Sequence, residues 1–230
     1  MPTTAATTPK TKFPTFADVQ ARLGNIPEAR IRSYPAPGTA TVLDLLDGSI
    51  VGDRLCELVD GILVEKTMGF REGSLAARLI FLLQLFLETD NIGLVAGADG
   101  LIRFKLELVR IPDVSFIRWD SVEDTDLIEN PAGAFLDVPP DLAVEVLSPS
   151  NTRREMEIKL DEYAKAGVKL VWYVDPERKE VDVYPKANPK RKKTLTAADT
   201  LDGNAVLPGF SVPVARLFES RAPKKGKGKK

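Results

Sequence analysis

Glu145 stands in the apolar run Leu142-Ala143-Val144-Glu145-Val146-Leu147. Such a run predicts a strand covered on both faces. A carboxylate buried there is costly unless it meets a cation or a metal. Upstream, Pro112-Asp113-Val114-Ser115-Phe116-Ile117 repeats the pattern, with one carboxylate at the head of a short apolar strand. Glu57, flanked on its strand face by Leu55 and Val59, is a third. Clustered, these acids could bind Mg²⁺, which takes oxygen ligands and keeps several waters. Each could instead point to a sheet edge or pair with an arginine such as Arg103 or Arg110.

A lysine follows within reach. In the helix expected after Glu145, Met156, Leu160, Tyr163 and Ala164 form the apolar stripe. Lys159 falls roughly 80° from its centre, a boundary position whose stem can lie along the core with the ammonium at a cleft. Beside a metal-bound water, such an ammonium could orient the water or favour its deprotonated form. The alternative is an ordinary surface pair with Glu155, at the favourable i,i+4 spacing.

The rest of the composition narrows the chemistry. The chain of 230 residues has no histidine and one cysteine, Cys56. Ser-His and Cys-His nucleophile schemes and imidazole-based zinc sites are thereby excluded, as is an internal disulfide, which fits a reducing cytoplasm. Acid–base or metal chemistry must therefore rest on carboxylates, lysine, tyrosine or water. The longest apolar stretches, such as Leu79–Leu83, fall well short of a membrane span, and no secretory signal is expected from the first residues. The formal net charge is −1, but five of the 32 basic residues lie in Lys224–Lys230, leaving 27 against 33 acidic ones. The body is thus acidic, and the basic Gly-containing tail is either a solubilising segment or one that grazes a polyanion.

The elements that must position these residues are read from periodicity. Residues 1–14 and 221–230 are expected to be disordered tails around one domain, 15–220. A short helix ends at Gly24, and Thr41 caps another through Leu46, which Gly48 ends. Strands 54–59 and 62–65 form a hairpin about Asp60-Gly61. Phe70–Glu88 reads as a helix of about five turns. Strand candidates follow at 93–96, 101–104 and from Asp113, then an acidic loop over 119–140 and the Glu145 strand. Thr152-x-x-Glu155 is a capping box opening a helix to Ala166, closed by Gly167. Strands 168–174 and 181–184 pair across a turn, Gly203-Asn204 marks another, and 214–220 closes as a short helix. The order predicts an α/β domain, a mixed sheet flanked by helices, without internal repeats.

Several of these segments resemble one family. Arg54–Gly61, Pro112–Ser115, Leu142–Ser150, Lys159-Leu160-x-x-Tyr163-x-x-x-Gly167-Val168 and Val171–Pro176 together are similar to the Uma-two family of restriction-endonuclease-like proteins. The likeness runs from about Thr41 to Phe218. It implies a PD-(D/E)xK fold and Mg²⁺-dependent hydrolysis of DNA phosphodiester bonds, with Mn²⁺ as a substitute ion. Carried over, Asp113 is the motif aspartate, Glu145 the second acid, the backbone carbonyl beside it at Val146 a further ligand, and Glu57 an accessory acid. The usual lysine two residues after the second acid is Leu147 here, and Lys159 looks like its replacement. Many relatives also carry a histidine after the hairpin, where Thr67–Gly73 has none. A homodimer is an arrangement the resemblance allows, since two sites conveniently cut two strands. A nuclease fold that binds or assembles without cleaving, or one acting on another phosphoester, fits the same residues.

Overall fold

The computed structural model describes residue 13, residues 15–126 and residues 133–219. The expected tails lie almost wholly outside these residues, as does the middle of the acidic loop.

Strands β1 (Cys56–Val59) and β2 (Ile62–Glu65) form the anticipated hairpin. Asp60 and Gly61 both take positive φ, 50° and 80°, as a two-residue turn matching strand twist requires. A Cβ on Gly61 would sit 2.6 Å from the Gly38 backbone, so the turn is closed to larger residues. Strands β3 (Gly93–Gly97), β4 (Ile102–Lys105), β5 (Leu108–Arg110), β6 (Val114–Arg118) and β7 (Leu142–Val146) follow. β8 (Leu170–Asp175), β9 (Glu180–Pro185), β10 (Lys193–Leu195), β11 (Thr200–Gly203) and β12 (Leu207–Pro213) complete the set.

The strands make two main sheets where the sequence suggested one. Four strands run β2-β1-β5-β4, six run β10-β9-β8-β7-β6-β3, and β11-β12 is a separate hairpin. All pairings are antiparallel except β7 with β8. The division falls at Ile111-Pro112-Asp113, where the chain leaves β5 in one sheet and enters β6 in the other. Pro112 has no N–H to give a ladder, and the Ile111 N–H bonds the Glu57 carboxylate instead, at 3.1 Å. A three-residue strand such as β5 carries too little periodicity to be seen in sequence.

The helices are α1 (Phe16–Leu23), α2 (Val42–Leu46), α3 (Gly48–Val51), α4 (Phe70–Leu87), α5 (Arg153–Ala166) and α6 (Val214–Phe218). Gly48 opens α3 rather than ending α2, because the Asp47 side chain accepts from the Ser49 N–H and starts a new turn. The capping box on α5 forms as predicted, and Gly167 closes it at φ 87°. α4 packs its Leu75, Leu79, Leu82 and Leu83 on one face of the six-stranded sheet, while α5 covers the other with Met156, Leu160 and Tyr163. Among the described residues no helix is long and apolar enough to cross a membrane.

Candidate active site

β6 and β7 pair with Ser115 opposite Ala143 and Val114 opposite Val144. Just before β6, Asp113 comes beside the end of β7, close enough for its charge to act on Glu145. The Asp113 N–H donates to the Val144 carbonyl at 2.9 Å, and the Val146 N–H donates to Asp113 Oδ2 at 2.6 Å. The pair expected from sequence is therefore built into the ladder, with Val146 beside it.

Glu57 reaches the same place from the other sheet, its carboxylate bonded to the Ile111 N–H where the chain crosses between the sheets. Lys159 bridges them: its Nζ lies 3.1 Å from Glu57 Oε1 and 3.2 Å from Glu145 Oε1. It is only 3% exposed, so it is a core residue and not one at a boundary. The apolar stripe counted from sequence omitted the acids, which extend the buried face of α5 around to Lys159. Its alternative partner, Glu155, is held by a fork from Arg30 at 3.1 and 2.8 Å.

The structure adds residues that sequence did not single out. Lys66 follows β2 directly and places its Nζ 2.7 Å from Asp113 Oδ1, while also donating to the Ile111 carbonyl. The Tyr163 hydroxyl donates to Glu145 Oε1, beside Lys159. Arg110, weighed earlier as a partner for these acids, bonds Glu57 Oε2 at 2.7 Å and Glu162 Oε2 at 2.5 Å. Arg22 on α1 then holds Glu162 Oε1 at 2.8 Å and also pairs with Asp60. Arg103 pairs with Asp137, away from the cluster. The available signal for Lys66 was its place at the exit of the strand paired with Glu57. For Tyr163 it was the polar tip of a residue otherwise read as core.

Three buried acids, Glu57, Asp113 and Glu145, thus face three cations, Lys66, Lys159 and Arg110. Their environments differ. Burial opposes ionisation of Glu57, but Lys159, Arg110 and Lys66 outweigh it and hold this carboxyl far below the ordinary glutamate range. Burial dominates at Glu145, whose carboxyl is pushed above that range despite Lys159 and Lys66, with Asp113 and Glu57 adding to the rise. Lys159 is likewise buried, yet Glu145 and Glu57 keep its ammonium more firmly protonated than a free lysine. Burial, and then the Glu145 and Glu57 charges, push the Tyr163 phenol well up, so it acts as a donor.

Among the described residues, no group of three or more His, Cys, Asp or Glu is placed to hold a metal ion. Both oxygens of Glu57 are taken by Arg110, Lys159 and the Ile111 N–H. At the Asp113–Glu145 pair, Asp113 Oδ1 meets Lys66 and Oδ2 the Val146 N–H, while Glu145 keeps one oxygen open. Both Glu145 hydrogen bonds fall on Oε1, and Oε2 accepts none among the described residues. Two carboxylates with water are the oxygen-donor chemistry that Mg²⁺ takes. Beside the pair, past the end of β7, opens a cleft of about 690 Å³ lined by Leu147, Ser148, Met156, Tyr173, Asp175 and Lys192. Leu147, which the resemblance sets at the usual lysine position, therefore faces the cleft, while Asp113, Glu145 and Lys159 do not line it.

No match is found among curated proteins. Among solved structures, the fold matches a protein from Anabaena variabilis ATCC 29413 described as "a putative nuclease belonging to DUF820". The TM-score is 0.62 at 15% identity, covering 72% of this chain and 90% of that one. The fold is accordingly of the restriction-endonuclease-like kind expected. A family model described as "Putative restriction endonuclease" matches residues 50–215, and the chain belongs to that family, Uma2.

Proposed function

We propose that this protein is a Mg²⁺-dependent nuclease that hydrolyses phosphodiester bonds of DNA. The observation that carries the reading is the buried Asp113–Glu145 pair, with Asp113 bonded to Val144 and Val146 on either side of Glu145 and Lys159 against Glu145. Family membership and the fold of the solved relative support it.

In this reading Asp113, Glu145 and the Val146 carbonyl would hold Mg²⁺, or Mn²⁺ in its place. Such an ion supplies charge stabilisation for phosphate and a more acidic water. The protein's own groups prepare the site. Tyr163 and Lys159 fix Glu145 through Oε1 and leave Oε2 for ligation. Glu57 works through Lys159, holding the ammonium in place from the opposite sheet. Arg110 keeps Glu57 ionised so that it can do so.

Asp113→Ala and Glu145→Ala are each expected to abolish cleavage of supercoiled plasmid in Mg²⁺ while leaving the circular-dichroism spectrum unchanged. Cutting at the parent rate by either variant would overturn the assignment. A second reading, a nuclease-fold binding module without cleavage, is favoured by the charge balance of the cluster and by Leu147. Calorimetric titration with Mg²⁺ separates the two. Ion binding that Asp113→Asn removes supports the nuclease, and its absence from the parent supports the module.

A further inference from the structure

We propose that Lys66 is a built-in counter-ion at the metal site, one that must leave Asp113 before a divalent cation can bind. This rests on the metal reading above. The site is already filled by positive charge: the Lys66 ammonium sits 2.7 Å from Asp113 Oδ1, and Oδ2 is taken by the Val146 N–H. A divalent ion needs a carboxylate oxygen at about 2.0–2.1 Å. It cannot share Oδ1 with an ammonium at hydrogen-bonding distance, because two cations would crowd one lone-pair region with little solvent between them.

The two buried lysines differ in how freely they can move. Lys159 lies mid-way along α5, is held by two carboxylates and packs among Met156, Leu160 and Tyr163. Lys66 has one carboxylate and the Ile111 carbonyl as partners, and its backbone sits one residue past β2, at the head of the exposed segment Thr67–Phe70. Its unbranched stem can swing the ammonium toward solvent by side-chain rotation alone. Lys66 therefore neutralises Asp113 while no ion is bound and gives way when one arrives. The fold does not need the ion to tolerate a buried aspartate, and ion binding is weaker than the carboxylates alone would give.

The test is calorimetric titration of Mn²⁺ alone into the full chain and into Lys66→Met, Lys66→Arg and Asp113→Asn. Lys66→Met is expected to bind Mn²⁺ about tenfold or more tightly than the parent, because a like charge at contact distance is removed. Lys66→Arg is expected to bind more weakly, because a guanidinium fork grips the carboxylate with two bonds. Should Lys66→Met not fold, the arginine variant decides, and equal or tighter binding there overturns the proposal. Binding by the parent that Asp113→Asn removes, together with unchanged or weaker binding by folded Lys66→Met, overturns the counter-ion role and leaves the metal site standing. Failure of the parent and both lysine variants to bind Mn²⁺ overturns both.

Discussion

The two faces of the six-stranded sheet are built from alternate residues of the same strands, yet they differ in kind. On the α4 face, Val114, Phe116, Leu142, Val144, Val146, Trp172 and Val174 form an unbroken apolar layer closed by the β11–β12 hairpin. On the α5 face the alternate positions include Asp113 and Glu145, joined by Glu57, Lys66, Arg110 and Lys159. The first face gains stability from every residue it buries. The second spends desolvation on each charge and recovers it only through its partners. A strand can carry both because its side chains alternate, so one face is held by apolar packing while the other is held by charge pairs.

The comparison breaks most visibly on the apolar side. Trp172 is fully buried, and its ring stacks on Phe210 with centroids 6.0 Å apart. Trp172→Ala is expected to cost about 3–5 kcal/mol in chemical denaturation, through lost contacts and the cavity left behind. Under the proposed reading, Mn²⁺ binding by the fraction that stays folded should equal the parent's. A stability loss under about 1 kcal/mol would mean that this face does not anchor the sheet.

On the charged side the expected signature is coupling. Lys159→Met leaves Glu57 and Glu145 facing each other without their shared ammonium and is expected to cost about 3 kcal/mol. Adding Glu145→Gln should recover roughly 1 kcal/mol or more, because the second change removes one of the stranded charges. Strictly additive losses in the double-mutant cycle would show that the cluster is not one unit.

Glu155 offers a milder and pH-dependent contrast. Burial works against its charge, but the Arg30 fork, helped by Lys159 and Asn151, holds its carboxyl below the ordinary glutamate range. A lowered carboxyl contributes stability that is present above the unfolded value and is lost as pH falls through the folded one. Glu155→Gln should therefore cost about 1.5–3 kcal/mol near neutrality. The gap to the parent should narrow as pH drops below the ordinary glutamate range. A gap constant from pH 7 to pH 3 would assign the effect to packing or capping instead.

How much of this was legible in the sequence follows from the same contrast. Asp113 and Glu145 were visible because a charge within an apolar run is conspicuous, and α4 and α5 because their stripes are long enough to show a period. Charge partners carry no such mark. Lys66 looks like any surface cation, and Arg110, though weighed as a partner, could not be told from Arg103 until the crossing at Pro112 brings the sheets together. β5 and β10, three residues each, and the two strands flanking the expected turn at Gly203-Asn204 were missed because short strands joined by polar turns leave no sustained alternation. The burial of Lys159 was missed because a helical wheel drawn from apolar residues alone cannot show a helix packing against buried acids.

The smallest expected effect tests where the two faces meet the cleft. Leu147 is only partly buried, packs at the margin of the α5 cluster and lines the cleft. A lysine there can keep its stem on the same apolar surface and extend its ammonium into the open space. Leu147→Lys is therefore expected to cost about 1 kcal/mol or less in a denaturant titration, far below Trp172→Ala on the other face. Its effect on activity separates two roles for Lys159. If Lys159 already supplies the ammonium that cleavage needs, a second one at position 147 leaves the rate within about threefold of the parent. If Lys159 only balances Glu57 and Glu145, then Leu147→Lys should raise the plasmid-cleavage rate by about tenfold or more, within the range of a positioned acid–base group. That gain would move the working lysine back to the strand and leave Lys159 as the clamp between the two sheets.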